Sequence, residues 1–279
     1  LGRHKTGWER ENRVHFDEIV LNYDKARWDY PQPMFDDIFK YNNACEGKKA
    51  IEIGAGTGKA TTPVLNAGYN VTAVELGANM AEYISEKHKD YDNFKVTVAA
   101  FEDAVLTENT YDLIYSASAF HWIDADIGCP KVFRLLKPGG TFALLRYNDY
   151  TADGDELYEE IQAVFEKYYY SYYTSSERVV RHSNEDLAEP AGIKHGFGFE
   201  DLGAYGFGDV FLKFYETTLM YSADEYVALM DTMSPNRALP EENRTALYAG
   251  VREAVARHGG VYAQDGVFTL YMGRKLTRF

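Results

Sequence analysis

The sequence predicts a doubly wound α/β sheet, and three observations carry that reading. The apolar run Ala50-Ile51-Glu52-Ile53 ends in Gly54-Ala55-Gly56-Thr57-Gly58, and a helical pattern follows through Thr61, Pro63, Val64 and Leu65. Short strands and helices then alternate to make five βα units by Tyr147. Two late strands follow, near 207–219 and 266–276, with no internal repeat and no low-complexity linker.

Taken in order, residues 1–10 carry little apolar content. From Glu11 to Arg27 a helix is expected, since Phe16, Ile19, Val20 and Tyr23 recur at its spacing. It closes at Pro31 and Pro33, and a second helix is expected over 33–43. The polar turn Cys45–Lys49 leads into the first strand. Gly54 and Gly56 allow torsions closed to other residues and leave no Cβ between a ligand and the main chain. The helix after them is expected to begin near Gly58, with its free N–H groups aimed at the same space.

Tyr69–Glu75 reads as a second strand ending in an acid, 19 residues after Gly56. At that interval a carboxylate can accept hydrogen bonds from both ribose hydroxyls, although an exposed end-of-strand glutamate has the same appearance. A helix with Met80, Tyr83 and Ile84 inward follows, then a third strand over Lys95–Phe101 and the acids Glu102 and Asp103, of which Asp103 is placed to cap a helix. Tyr111–Ser116 is the fourth strand, and His121-Trp122 lies in the loop beyond it. Ligands in open α/β sheets bind outside the carboxyl ends of strands, so Ser116 to Trp122 should face one. His121 suits a general base by its near-neutral pKa, or else it orders the loop. Val132 to Gly140 is a helix end with a Pro-Gly turn, and Thr141–Tyr147 is the fifth strand. Helices are expected from Asp153 to Tyr168, at 222–233 and at 240–258, and loops over 174–206.

The totals exclude several classes. With 279 residues the chain is one large domain, or a core with a smaller cap, and 46% apolar content suffices for a packed interior. A formal charge of −14 disfavours nucleic acid and anionic membrane as partners. Cys45 and Cys129 make neither a disulfide framework nor a metal spacing, so no metal is expected and a reducing cytoplasm is the expected compartment. There is no membrane-spanning apolar run and no signal-peptide pattern. The 23 tyrosines fit a planar or apolar substrate and equally a tyrosine-rich core.

The glycine spacing discriminates further. Dinucleotide enzymes carry G-x-G-x-x-G, whereas Lys59 stands where their third glycine would fall, and the phosphate loop of nucleotide hydrolases does not fit either. Glu52-Ile53-Gly54-Ala55-Gly56-Thr57-Gly58 instead resembles motif I of the class I S-adenosylmethionine-dependent methyltransferases. Tyr111-Asp112-Leu113-Ile114 resembles the same family's motif IV, and Leu136-Lys137-Pro138-Gly139-Gly140 is a further mark of it. Tyr23-Asp24 through Arg27 to Tyr30-Pro31 resembles the entry segment of its small-molecule branch, which includes trans-aconitate and ubiquinone-pathway enzymes; a surface helix packed on the core would read alike.

That resemblance implies a seven-stranded, mostly parallel sheet whose last-inserted strand is antiparallel. It implies a single domain over 1–279, with a cofactor-binding core at 40–150 completed by the two late strands. The segments 11–35, 151–205 and 220–260 would form a helical cap. S-adenosylmethionine is the implied cofactor, held by Glu52, Gly54, Ala55, Gly56, Glu75, Leu76, Met80, Phe101, Glu102, Ser116 and Arg27. The implied reaction is in-line methyl transfer to a small molecule, with His121 or Tyr23 as candidate catalytic groups and His15 as a further candidate base. The rival readings are a catalytically silent cofactor-binding protein and a nicotinamide-dependent oxidoreductase on the same sheet. Oligomeric state is left open.

Overall fold

The computed structural model describes residues 9–150, 155–173 and 201–276. The loops expected over 174–200, and that part of the expected cap, lie outside the described residues. The chain divides into two compact units, one formed by 29–148, 195–215 and 268–279 and the other by 1–28, 149–194 and 216–267.

The sheet contains β1 (Lys49–Ile53), β2 (Asn70–Glu75), β3 (Phe94–Val98), β4 (Tyr111–Ala117), β5 (Leu136–Tyr150), β6 (Phe207–Ser222) and β7 (Val261–Lys275). Their order is β3-β2-β1-β4-β5-β7-β6, and β1–β2, β2–β3, β1–β4 and β4–β5 are parallel pairs. The winding reverses between β1 and β4, the place in such sheets where a crevice opens at the strands' carboxyl ends. The seven-stranded sheet expected from the sequence is therefore present. Ile51, Ile53, Ile114, Phe142 and Leu144 are buried in one core with Phe120, Val132 and Leu135. Strands buried on both faces are apolar throughout rather than alternating, which is why they read clearly.

Helix α1 (Val20–Ala26) follows a 3-10 helix over Arg10–Glu18, so the continuous helix expected from 11 to 27 is broken at Ile19. Helix α2 (Gln32–Asn42) ends on Asn43 in the left-handed conformation, φ 51°. Its buried Asn42 is fully engaged: Nδ2 donates to Asp112 O and Thr141 Oγ1, and Oδ1 accepts from Tyr69. Helix α3 (Thr61–Asn66) starts later than expected, because Thr57 to Ala60 complete a turn first. Helices α4 (Ala78–Lys87) and α5 (Ala125–Leu135) follow. The Pro-Gly turn does not stop α5, which ends before it; Leu136 already pairs with Tyr111, and the register then slips, so Lys137 to Gly140 form an irregularity within β5. Gly139 has φ 80°, which glycine adopts without strain.

The other unit is helical, with α6 (Glu156–Tyr168), α7 (Ala223–Asp231), α8 (Ser234–Arg237) and α9 (Glu241–Arg257). Ser222 and Glu225 cap α7 reciprocally. Its core holds Tyr169, Tyr173, Tyr226 and Tyr262 among Leu229, Leu247 and Val251. Tyr173 donates to Pro235 O at 2.7 Å, so its hydroxyl is satisfied inside the core. Much of the tyrosine surplus is interior packing.

Candidate functional site

The site begins where β1 runs into the glycine loop. Gly54 (φ 67°), Gly56 (φ 55°) and Gly58 (φ 81°) all take conformations that disfavour other residues. At Gly54 there is also no room: a Cβ would stand 2.5 Å from Ala119 Cβ in the segment after β4. At Gly58 a Cβ would stand 2.7 Å from His88 Cε1. His88 is buried at the end of α4, paired with Thr62 and Ile84 O, and burial lowers its pKa. The loop is thus wedged between two other segments.

Glu75 supplies the second part. Its Oε2 accepts from Gly56 N at 2.8 Å and its Oε1 from Gly77 N at 2.9 Å, so one carboxylate bridges the glycine loop and the turn after β2. Leu76, next to it, is exposed. Thr57, within the loop, is buried, and its Oγ1 has no hydrogen-bond partner. An unpartnered buried hydroxyl costs free energy unless a ligand completes it.

Glu52 lies beneath the loop. Its Oε2 accepts from Thr61 Oγ1 and, at 2.9 Å, from Tyr115 OH of β4. Burial pushes its carboxyl up to about 8, with a smaller contribution from the charge of Glu75. Glu52 therefore joins β1, α3 and β4 inside the sheet. Ser116 is similarly engaged, donating to Ile53 O at 2.9 Å.

Beyond β3, Phe101 is buried in the core and Glu102 is half-buried. Lys131 of α5 donates to Phe101 O, Glu102 O and Ala104 O at 2.7, 3.1 and 2.6 Å and stands over the Phe101 ring. Sequence reasoning missed it, because a lysine in an amphipathic helix reads as solvent-facing. Met80 is buried on the inner face of α4.

Past β4, Ser118 takes a left-handed conformation, φ 53°, which is uncommon for serine and frequent at ligand sites. Tyr30 OH donates to its Oγ at 2.8 Å. His121 and Trp122 occupy a short 3-10 turn, half-buried, their rings 5.2 Å apart. Gly54, Ala55, Gly56, Glu75 and Leu76 thus form one group at the carboxyl ends of β1 and β2. Ser116, Ser118 and His121 follow from β4. Tyr23 and Arg27 belong to the helical unit, where Arg27 lies over the Tyr23 and Trp28 rings and donates to Thr232 O at 3.0 Å.

Among the described residues there is no cluster of His, Cys, Asp and Glu able to hold a metal. None of their helices is long and apolar enough to cross a membrane. Cys45 and Cys129 are both free thiols, and burial pushes Cys129 up to about 12.

Residues 51–144 match the methyltransferase domain family. An uncharacterized methyltransferase of Mycobacterium tuberculosis is 30% identical over 139 residues, 49% of this chain and 53% of that protein; the match therefore spans about half the length of that relative. An uncharacterized methyltransferase of Schizosaccharomyces pombe is 23% identical over 244 residues, 86% of each chain. Among solved structures, a putative type II methyltransferase from Anaeromyxobacter dehalogenans has a TM-score of 0.59 at 21% identity, covering 90% of this chain and 99% of its own. A Haemonchus contortus phosphoethanolamine N-methyltransferase, in complex with phosphomonomethylethanolamine and S-adenosylhomocysteine, has a TM-score of 0.52 at 16% identity, covering 99% of this chain and 62% of its own. Both structural likenesses speak to the fold. The sheet order and the glycine loop agree with that match: residues 51–144 are similar to the methyltransferase domain family, and the fold of the chain is like that of these two methyltransferase structures.

Proposed function

We propose that this chain moves the methyl group of S-adenosylmethionine to a small-molecule acceptor and releases S-adenosylhomocysteine. The observation that carries the proposal is the joined edge of β1 and β2, where side-chain-free backbone, the Glu75 carboxylate and the unpartnered Thr57 hydroxyl meet. Those groups suit a ligand with both hydroxyl-rich and charged parts. Glu75 would take the ribose hydroxyls, Gly54 to Thr57 the methionine part, and Leu76 a face of the base, with Glu102 beside it.

When bound, S-adenosylmethionine supplies a methyl already activated on a sulfonium. The protein's own work is then to hold the acceptor in line and to exclude water. Ser118 and Tyr30 fix the loop after β4, and His121 on that loop is the group we assign to take a proton from a hydroxyl or amine acceptor. A carboxylate acceptor would need no base. Tyr23 and Arg27 are proposed as further contacts on the grounds of the entry-segment resemblance alone.

Calorimetry with S-adenosylmethionine, S-adenosylhomocysteine and NAD tests the first half, and label transfer from methyl-labelled S-adenosylmethionine to a metabolite panel tests the second. The expected result is binding of the two adenosyl compounds, no binding of NAD, and a labelled small molecule. NAD binding in their place would overturn the reading. Adenosyl binding with no labelled product would favour the silent cofactor-binding protein.

A further inference from the structure

Lys59 stands where dinucleotide enzymes carry their third glycine, and neither the cofactor group nor the loop after β4 contains it. It follows Gly58, whose backbone is fixed: φ is 81°, a Cβ there would stand 2.7 Å from His88 Cε1, and its N–H donates to Ala55 O at 2.9 Å. The lysine is therefore a rigidly mounted cation. Its ammonium reaches Asp29 Oδ1 at 2.9 Å, and among the described residues each of these side chains is the other's only polar partner. The Lys59 side chain is 15% exposed and that of Asp29 83%. The lysine is thus the sheltered post, and Asp29 is the end with room to move.

Asp29 passes that position on. Tyr30 is the next residue, and its OH donates to Ser118 Oγ at 2.8 Å, holding a serine whose φ of 53° is costly. Ala119 follows, and a Cβ on Gly54 would stand 2.5 Å from its own. The segments 54–59, 29–30 and 118–119 therefore close a ring, and all three belong to the unit that carries the sheet. A cavity of about 520 Å³ is lined jointly by Asp29, Tyr30 and Gln32 and by Thr62, Pro63 and Asn66 of α3, so close packing on that helix does not by itself fix the segment 29–30. Phe268 steadies the Tyr30 ring, with centroids 5.7 Å apart, and the ion pair steadies the chain one residue earlier.

We propose that Lys59 is a positioning residue for the methyl acceptor: through Asp29 it sets Tyr30, and through Tyr30 it sets the turn at Ser118 from which His121 is presented. The inference rests on the methyl-transfer reading and gives the glycine loop a second task. The start of the loop faces the cofactor, and the cation at its end steers the loop that meets the acceptor. Lys59 acts through Asp29 and Tyr30, with no contact to either ligand. An ion pair with one exposed member is a modest force, so its loss changes how often the turn opens and leaves the fold in place.

The test is hydrogen exchange read by mass spectrometry on the whole chain, alone and saturated with S-adenosylhomocysteine. The readout is the segment 118–123, where Ser118 N donates to Leu145 O, Trp122 N to Ala119 O and Ile123 N to Phe120 O. Lys59→Met and Asp29→Asn should each speed exchange there by about two- to fivefold, the range of an exposed ion pair, with β1 to β3 unchanged. S-adenosylhomocysteine affinity by calorimetry should stay within about twofold. Lys59→Arg keeps the pair and should restore the wild-type rate. Sodium chloride at about 1 M should bring wild type towards Lys59→Met and leave that variant as it was. In a Tyr30→Phe background Lys59→Met should add less than it does in wild type, because its effect passes through that hydroxyl.

Exchange at 118–123 that is equal in wild type, Lys59→Met and Asp29→Asn overturns the assignment. So does a rise spread evenly over the sheet, which would make the pair a general support of the fold. A loss of S-adenosylhomocysteine affinity by about tenfold or more with 118–123 unchanged would make Lys59 a cofactor contact and overturn it too. In all three cases the methyl-transfer reading stands. Should Lys59→Met fail to fold, Asp29→Asn carries the test, since it keeps the side chain's shape and removes only the charge. Failure of wild type to bind S-adenosylhomocysteine removes the methyl-transfer reading and this role with it.

Discussion

At the carboxyl ends of β1 and β2 the contacts are made by main chain and carboxylates: Gly56 N and Gly77 N to Glu75, Gly54 N to Val74 O, and Glu52 held from below. At the ends of β4 and β5 they are made by side chains, with Tyr30 on Ser118 and Arg146 on Asn148. The first region is acidic and sterically closed around its glycines, and the second carries a cation and polar groups on longer stems. The contrast suggests a division of labour. A region built from backbone tolerates little substitution and suits an invariant ligand, whereas a region built from side chains can change its ligand by changing residues.

The sharpest break of that comparison is Gly54→Val. Added carbon would meet Ala119 at 2.5 Å in a backbone conformation that valine disfavours. We expect no detectable S-adenosylmethionine binding by calorimetry and a stability loss of about 1–3 kcal/mol in urea unfolding. Near-normal affinity in a folded Gly54→Val protein would remove the glycine loop from the site.

Glu75→Ala comes next. Two backbone donors lose their acceptor, and the ligand loses hydrogen bonds to a charged group, each worth about 1.5–3 kcal/mol. Affinity for S-adenosylmethionine should fall by about ten- to a hundredfold. The 2′-deoxy analogue should bind more weakly than the parent in wild type and equally in the mutant. An equal penalty in both proteins would show that Glu75 does not read the ribose.

Glu52→Gln addresses the level beneath the loop. Burial raises the folded-state pKa of Glu52 to about 8, above its unfolded value, so the folded chain holds a proton that the unfolded chain releases. The stability this contributes is complete below the unfolded pKa, declines as pH rises, and is gone above about 8. Wild type should lose stability between pH 5 and 9 by an amount on the order of a few kcal/mol that the glutamine variant does not lose. Urea midpoints at pH 6 and pH 9 check this, and parallel pH slopes in the two proteins would show that Glu52 is ionised when folded.

Tyr30→Phe should have the smallest effect. It removes one hydrogen bond, to Ser118, at a cost of about 1 kcal/mol. On the division described above, the acceptor KM should rise while S-adenosylmethionine affinity holds. A loss of cofactor affinity instead would mean that the two regions do not act separately.

The strands were legible because apolar runs such as Ala50–Ile53 and Leu113–Tyr115 are buried on both faces, and the glycine loop because its residue types have few other uses. The contacts of Glu52 were not legible. An acid before glycines reads as a ligand contact, and Tyr115, which binds it, lies 63 residues away. The late start of α3 and the early end of α5 escaped notice because Thr57–Ala60 and Lys137–Gly140 follow the tertiary turn rather than local propensity. The tyrosine cluster at 168–173 could be pocket or core by composition, and burial of Tyr169 and Tyr173 decided that only in three dimensions.

Lys131 has a consequence for redesign. It grips the turn after β3 through three carbonyl oxygens, a handle that every amino acid offers in the same form. Exchanging the side chains at Glu102 and Asp103 leaves that handle untouched, so these two positions behave as a replaceable cassette clipped to α5. A randomised library there should keep most members folded, and the same library on a Lys131→Ala background should not, which makes a distant lysine the permit for variation at the turn.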